Sequence, residues 1–169
     1  MYAIEITGGA MNDTYKHKET GRENLTLHDC EATQSRLSDG VLTFLFEDGF
    51  WIAPTHPEND LDTLVRTNKA KVDFHLYRGL SDDVVVYVFR RTFFKRIVRE
   101  EVPLSRLIDG INSKKFTLEF LYQYDDDCSQ MISCAIRSDR RPWYAECLME
   151  IQKNGIEYFW NDLERDRVW

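Results

Sequence analysis

The chain has 169 residues, a formal charge of −7, 43% hydrophobic residues and 13% aromatic residues. That length fits one domain spanning residues 1–169, and the apolar content supplies a core and excludes intrinsic disorder. The net acidity excludes a uniformly basic nucleic-acid binder, while leaving room for a local basic stripe.

The start, Met1-Tyr2-Ala3-Ile4-Glu5-Ile6, lacks the basic opening of a signal peptide. The longest apolar run, Val84–Phe89, has six residues against the roughly 20 that span a bilayer as a helix. A cytoplasmic protein with no membrane partner is therefore expected. The polar stretch from Gly8 to Asn24 reads as a connector. Glu31–Leu37 and Val41–Glu47 read as strands joined at Ser38-Asp39-Gly40. Leu42, Phe44 and Phe46 share one face of the second strand. Asp48-Gly49 is either a second turn or a bulge before Phe50-Trp51-Ile52. The segment from Ala53 to Thr63 holds two prolines and several acids and reads as a loop.

Val72, Phe74 and Leu76 alternate with Asp73, His75 and Tyr77, which predicts a half-buried strand. Ser81-Asp82-Asp83 stands where a hairpin loop to Val84–Phe89 is due, and the apolar run that follows predicts a central strand covered on both faces. Over residues 91–99 Phe93, Phe94, Ile97 and Val98 fit a helical face and no strand face is clean, but the surrounding β-branched and aromatic residues favour strand. Pro103 to Gly110 predicts a short helix, with Leu104, Leu107 and Ile108 on one face and Gly110 as the stop. Phe116, Leu118, Phe120, Tyr122 and Tyr124 share a strand face, and Asp125-Asp126-Asp127 forms the loop to Met131–Ile136. Ala145, Cys147, Met149 and Ile151 face one way in a further strand. Asn154-Gly155 predicts a type I′ turn before Ile156, Tyr158 and Trp160. The sum is a mainly β fold of antiparallel sheets, a sandwich or partly open barrel, with one short helix near residues 103–110.

The charge is uneven. Residues 1–65 carry 4 basic and 12 acidic groups, a net of −8, whereas residues 66–101 carry 9 basic and 5 acidic groups, a net of +4. Cross-strand pairing accounts for such a basic middle, and acidic segments can steer a basic partner.

No compact catalytic motif is present. Gly-x-Ser-x-Gly and phosphate-binding glycine patterns are absent. The four cysteines, Cys30, Cys128, Cys134 and Cys147, form no Cys-x-x-Cys, and the four histidines are scattered, so no metal or cofactor is expected. In an extended strand His28 and Cys30 share one side and can meet, which keeps a small enzyme using that pair as an alternative. Many aromatics on alternating faces keep a second alternative, a barrel or sandwich around a small apolar ligand. The run Arg90-Arg91-Thr92-Phe93-Phe94-Lys95-Arg96 has the character of a base-stacking surface, but the net charge argues against nucleic acid.

Leu25-Thr26-Leu27-His28-Asp29-Cys30, followed by Gly40 to Ile52, resembles small uncharacterised proteins of Firmicutes, some of them similar to immunity proteins of bacterial toxin systems. The resemblance covers residues 25–52 and brings no catalytic residues with it. It implies an acidic cytosolic protein that binds and blocks a toxin, often a basic nuclease. On that basis the expected function is a non-catalytic protein-interaction module. Its expected partner-binding residues are Asp125, Asp126 and Asp127 for charge, with Arg140, Trp143 and Tyr144 as anchors.

Overall fold

The computed structural model describes residues 14–139 and 144–169. Short strands come first: β1 (His17–Glu19), β2 (Leu25–Thr26), β3 (Cys30–Ala32), β4 (Gln34–Ser38), β5 (Val41–Phe46), β6 (Trp51–Ile52) and β7 (Val65–Thr67). Longer ones follow: β8 (Ala70–Leu76), β9 (Val84–Arg91) and β10 (Ile97–Val102). Helix α1 (Leu104–Asn112) precedes β11 (Thr117–Asp125), β12 (Ser129–Arg137), β13 (Tyr144–Trp160) and β14 (Leu163–Val168). Every pairing among the described residues is antiparallel, and the sheets do not close into a barrel.

The larger sheet runs β3-β11-β12-β13-β8-β5-β4, and a smaller one runs β14-β7-β6-β2. The larger sheet is organised on β13, 17 residues long. Its first half lies between β12 and β9, and its second half pairs with β8 and β1. The core is one contiguous cluster. Phe44 meets Phe74 and Phe120 edge to face, Phe46 also meets Phe120, and Phe50 sits against Tyr158 and Trp160. These rings fill the interior where a ligand-binding barrel keeps a hollow. Such edge-to-face pairs add about 0.5–1.5 kcal/mol each beyond the area they bury.

The turn at Asp39-Gly40 forms as read: both residues have positive φ, 52° and 76°, the geometry of a type I′ hairpin. Five local readings give way to longer-range contacts. First, Asn154-Gly155 makes no hairpin. Lys153 pairs with Leu76 and Gly155 with His75, so Asn154 is an extra residue in a continuous strand, a bulge where β13 passes from its first partners to its second. Second, Ser81–Asp83 is a 3-10 turn, and β8 and β9 do not form a hairpin with each other; both lie along β13. Third, β9 is central in the sheet but covered on one face. Val84, Val86 and Val88 are buried, while Val85, Tyr87 and Phe89 are half-buried. Fourth, Gly110 does not stop α1. It faces Phe116 inside the helix, where a Cβ would stand 2.1 Å from the ring. The helix ends two residues later: Lys114 takes the left-handed conformation (φ 54°) and the Lys115 N–H donates to the Gly110 carbonyl. Fifth, the register shifts between Phe120 and Tyr122. Leu118 and Phe120 therefore face the core, while Tyr122 and Tyr124 are exposed.

Residues 91–99 are not one strand. β9 and β10 form a hairpin whose tip is Thr92–Arg96. The Lys95 N–H donates to the Thr92 carbonyl, the Thr92 N–H to the Arg96 carbonyl, and Lys95 has φ 60°. A turn followed by one left-handed residue is the usual three-residue hairpin loop. Within the connector read over residues 8–24, β1 is a short strand on β13.

Candidate interaction sites

The loop Asp125-Asp126-Asp127 lies at one end of the β11–β12 hairpin. Asp125 accepts an ion pair from Lys153 at 2.9 Å, and Lys153 is itself buried. Asp126 and Asp127 are exposed and have no ion pair among the described residues. Two other loops reach the same end. The Tyr77 N–H donates to the Gln152 carbonyl, and the Lys153 N–H donates to the Cys128 carbonyl. Gly40 packs so closely on Gly79 that a Cβ would stand 3.0 Å from the Gly79 Cα. The turn carrying Asp39 and the loop carrying Asp82 therefore flank the acidic triplet, and both carboxylates are exposed and free of ion pairs among the described residues. Tyr77 and Tyr124, about 60% exposed, stand on the same loops and strand end.

One carboxylate at this end is structural. Asp83 is buried and accepts hydrogen bonds from the Arg78 N–H, the Leu80 N–H and Arg78 Nε. Burial pushes its pKa up, but the hydrogen bonds from Arg78 and Leu80 outweigh it and hold the carboxyl below the ordinary range.

One expected anchor, Tyr144, is elsewhere. Arg137 and Tyr144 pair at the far end of β12, eight residues from Ser129. At a strand rise of about 3.3 Å per residue that is roughly 26 Å from the acidic loop. Tyr144 is half exposed there. Arg140 and Trp143 lie outside the described residues. The structure thus brings Asp125, Asp126 and Asp127 together and separates them from Tyr144. Period two assigns the tyrosines beside the triplet, Tyr77 and Tyr124, to strand faces. The signal that exposes Tyr124 is the bulge at Leu121, which alternation alone does not show.

Three acids of the strongly acidic residues 1–65 are matched by later bases among the described residues. Asp60 pairs with Arg165 at 2.9 Å, Asp48 with Arg167 at 3.5 Å and Glu47 with Lys69 at 3.9 Å. Glu19 accepts from buried His56 at 2.6 Å.

His28 and Cys30 do not form a nucleophile pair. Asp29 has φ 54°, which breaks the extended geometry between them. The Cys30 thiol is fully buried, donates to the His28 carbonyl, and is pushed up to about 12 by burial. A thiolate is therefore disfavoured at neutral pH. The His28 ring, held by the Leu121 carbonyl, stacks on Trp169 at 5.4 Å and tilts against Tyr122. These rings line an open cleft of about 910 Å³ with Arg22, Gln123 and Asp125.

The opposite end carries the β9–β10 hairpin. Among the described residues Arg90 and Arg91 pair with Val98 and Ile97 alone, beyond the last pairing of β9 with β13 at Phe89, so this part of the hairpin is a two-stranded ribbon among the described residues. Phe93 is 97% exposed and Phe94 82%, their rings packed edge to face on each other.

No protein-family model, curated protein or solved structure matches this chain.

Proposed function

We propose that this chain is a non-catalytic protein-interaction module whose acidic end binds a basic protein surface. Following the resemblance of residues 25–52, its concrete form is an immunity-type inhibitor that covers a basic toxin. The observation that carries this reading is the convergence of Asp39, Asp82, Asp126 and Asp127, all exposed and unpaired among the described residues, around Tyr77 and Tyr124. Carboxylates spread over three loops attract a basic surface at long range and orient its approach. Tyrosine supplies large, stiff contact area with a polar tip once the surfaces meet. Lys153, buried against Asp125, fixes the loop and lowers the ordering cost of binding.

The test uses basic nuclease domains encoded beside this chain. Association is measured by titration at two salt concentrations, for the native chain and for a chain carrying Asp126→Asn, Asp127→Asn and Tyr124→Ala. The reading expects tight, salt-sensitive binding that weakens about tenfold or more in the substituted chain, with the melting temperature unchanged. Equal affinity of the two chains, or no association with any such domain, overturns it.

A further inference from the structure

Among the described residues, the side chains least accounted for by the fold are those at the β9–β10 tip. The core buries Phe44, Phe46, Phe50, Phe74 and Phe120 completely, yet Phe93 and Phe94 touch chiefly each other. Ile97 is 67% exposed and Val98 49%. Around this apolar tip stand Arg90, Arg91, Lys95, Arg96 and Arg99, with no acidic residue between Arg90 and Arg99. Arg90 reaches Glu100 at 3.6 Å, and Arg99 lies over the Tyr87 ring. Arg91, Lys95 and Arg96 have no ion pair among the described residues.

We propose that the β9–β10 hairpin docks this protein onto an anionic lipid surface, with Phe93 and Phe94 entering the acyl boundary and the flanking bases lying at the phosphate level. Three features favour lipid over a folded partner. The tip is convex, and phenylalanine has no polar handle; a protein partner needs a preformed pocket for it, whereas a bilayer closes around any apolar protrusion. The layering is that of an interfacial anchor, with apolar side chains at the extremity and arginines and lysine set behind, their stems able to reach the headgroups. The charge at the tip is complementary to anionic headgroups; the nearest acids, Glu100, Glu101 and Glu146, sit behind it beside Val88, Tyr87 and Phe89, and the chain's acidic loops lie at the other end. An open cleft of about 450 Å³ lies beside the hairpin, lined by Val88, Leu107 and Phe116 with Arg90, Lys115 and Asp109. No helix among the described residues is long and apolar enough to cross a membrane, so the attachment is peripheral. This docking is independent of the acidic-end reading.

The experiment is cosedimentation of the full chain with phosphatidylcholine vesicles, with and without about 30% phosphatidylglycerol, at low and high salt. The native chain is expected to sediment with the anionic vesicles, to be released by salt and to ignore the neutral ones. Phe93→Ser with Phe94→Ser is expected to weaken binding about tenfold or more. Arg91→Gln with Lys95→Gln and Arg96→Gln is expected to weaken it about a hundredfold, from roughly fivefold per base at the surface. Both variants change exposed residues and should melt with the native chain. No binding to anionic vesicles overturns the proposal. So does binding that survives the Phe93/Phe94 substitution, or vesicle binding displaced by a hairpin-dependent complex with single-stranded oligonucleotide. A concentration-dependent dimer that occupies the tip overturns it as well.

Discussion

Replacing Asp83 by Asn tests whether one buried carboxylate holds the loop that places Tyr77 and Leu80. Asp83 Oδ2 accepts the backbone N–H of Arg78 at 2.7 Å and of Leu80 at 3.3 Å, while Oδ1 accepts Arg78 Nε at 2.7 Å. An asparagine can keep its carbonyl on the two backbone donors, but its amide N–H₂ then faces the guanidinium. One charge-assisted hydrogen bond is lost, a class worth about 1.5–3 kcal/mol. Arg78 is 56% exposed, so water rehydrates its head and the net cost falls to about 1–2 kcal/mol. Asp83→Ala also strands the two backbone donors, for about 3 kcal/mol in all. Urea titrations near pH 7 measure both. The pH dependence adds a sign. Asp83 titrates below its ordinary value in the fold, so its contribution is full above the unfolded pKa and fades as pH falls through the folded one. The asparagine deficit should therefore be largest at neutral pH and shrink on acidification below about pH 4. An Asp83→Asn chain as stable as the native one at neutral pH refutes the reasoning, as does a deficit that persists unchanged in acid.

Two further outcomes follow from burial and backbone geometry. Of the four cysteines, Cys128 is exposed while Cys30, Cys134 and Cys147 are buried. Burial pushes the Cys30 and Cys147 thiols up to about 12 and raises Cys134 well above its ordinary value. A chromogenic disulfide reagent near pH 8 should titrate one thiol in the folded chain and all four in denaturant; fast reaction of Cys30 in the folded chain contradicts the assignment of that site as inert. Gly49 has φ 72°, and a Cβ there would stand 2.2 Å from the Thr67 carbonyl oxygen. Gly49→Ala should cost about 3 kcal/mol or more, read as a fall in melting temperature, because neither the backbone carbonyl nor the left-handed geometry can yield cheaply.

The elements legible in the sequence were those whose cause is local. Asp39-Gly40 is one, because two residues that accept positive φ are all the turn requires. The alternation from Ala145 to Ile151 is another, because one face meets the core along its whole length. Asn154-Gly155 has the same local chemistry as a turn and makes none. There the ladder to β8 continues past a single extra residue, and that cooperative pairing outweighs the preference of two residues. Period two places Tyr122 and Tyr124 on the face of Phe120 because it carries no warning of a bulge. The grouping of Asp125, Asp126 and Asp127 with Tyr144 failed for a related reason. The pattern along a strand tells which face a side chain takes, but not which end of the sheet its neighbours in sequence reach. Exposure at Phe93 and Phe94 is legible only through the bases around them, which give the run the character of a stacking surface; composition alone assigns phenylalanine to a core.

The place of β13 in the sequence has a consequence for how the chain reaches its fold. β1, β8, β9 and β12 all precede it, and each leans on it for hydrogen-bonding partners; His17 waits for Trp160, 143 positions later. During synthesis those strand edges remain open until residues 144–160 have left the ribosome, however well the hairpins ahead of them have formed. Closure then demands contacts distant in sequence, the class that slows folding most. The nascent chain is thus a set of exposed edges awaiting one late strand, a window in which chaperones, or strand exchange between neighbouring chains, compete for the place β13 will take.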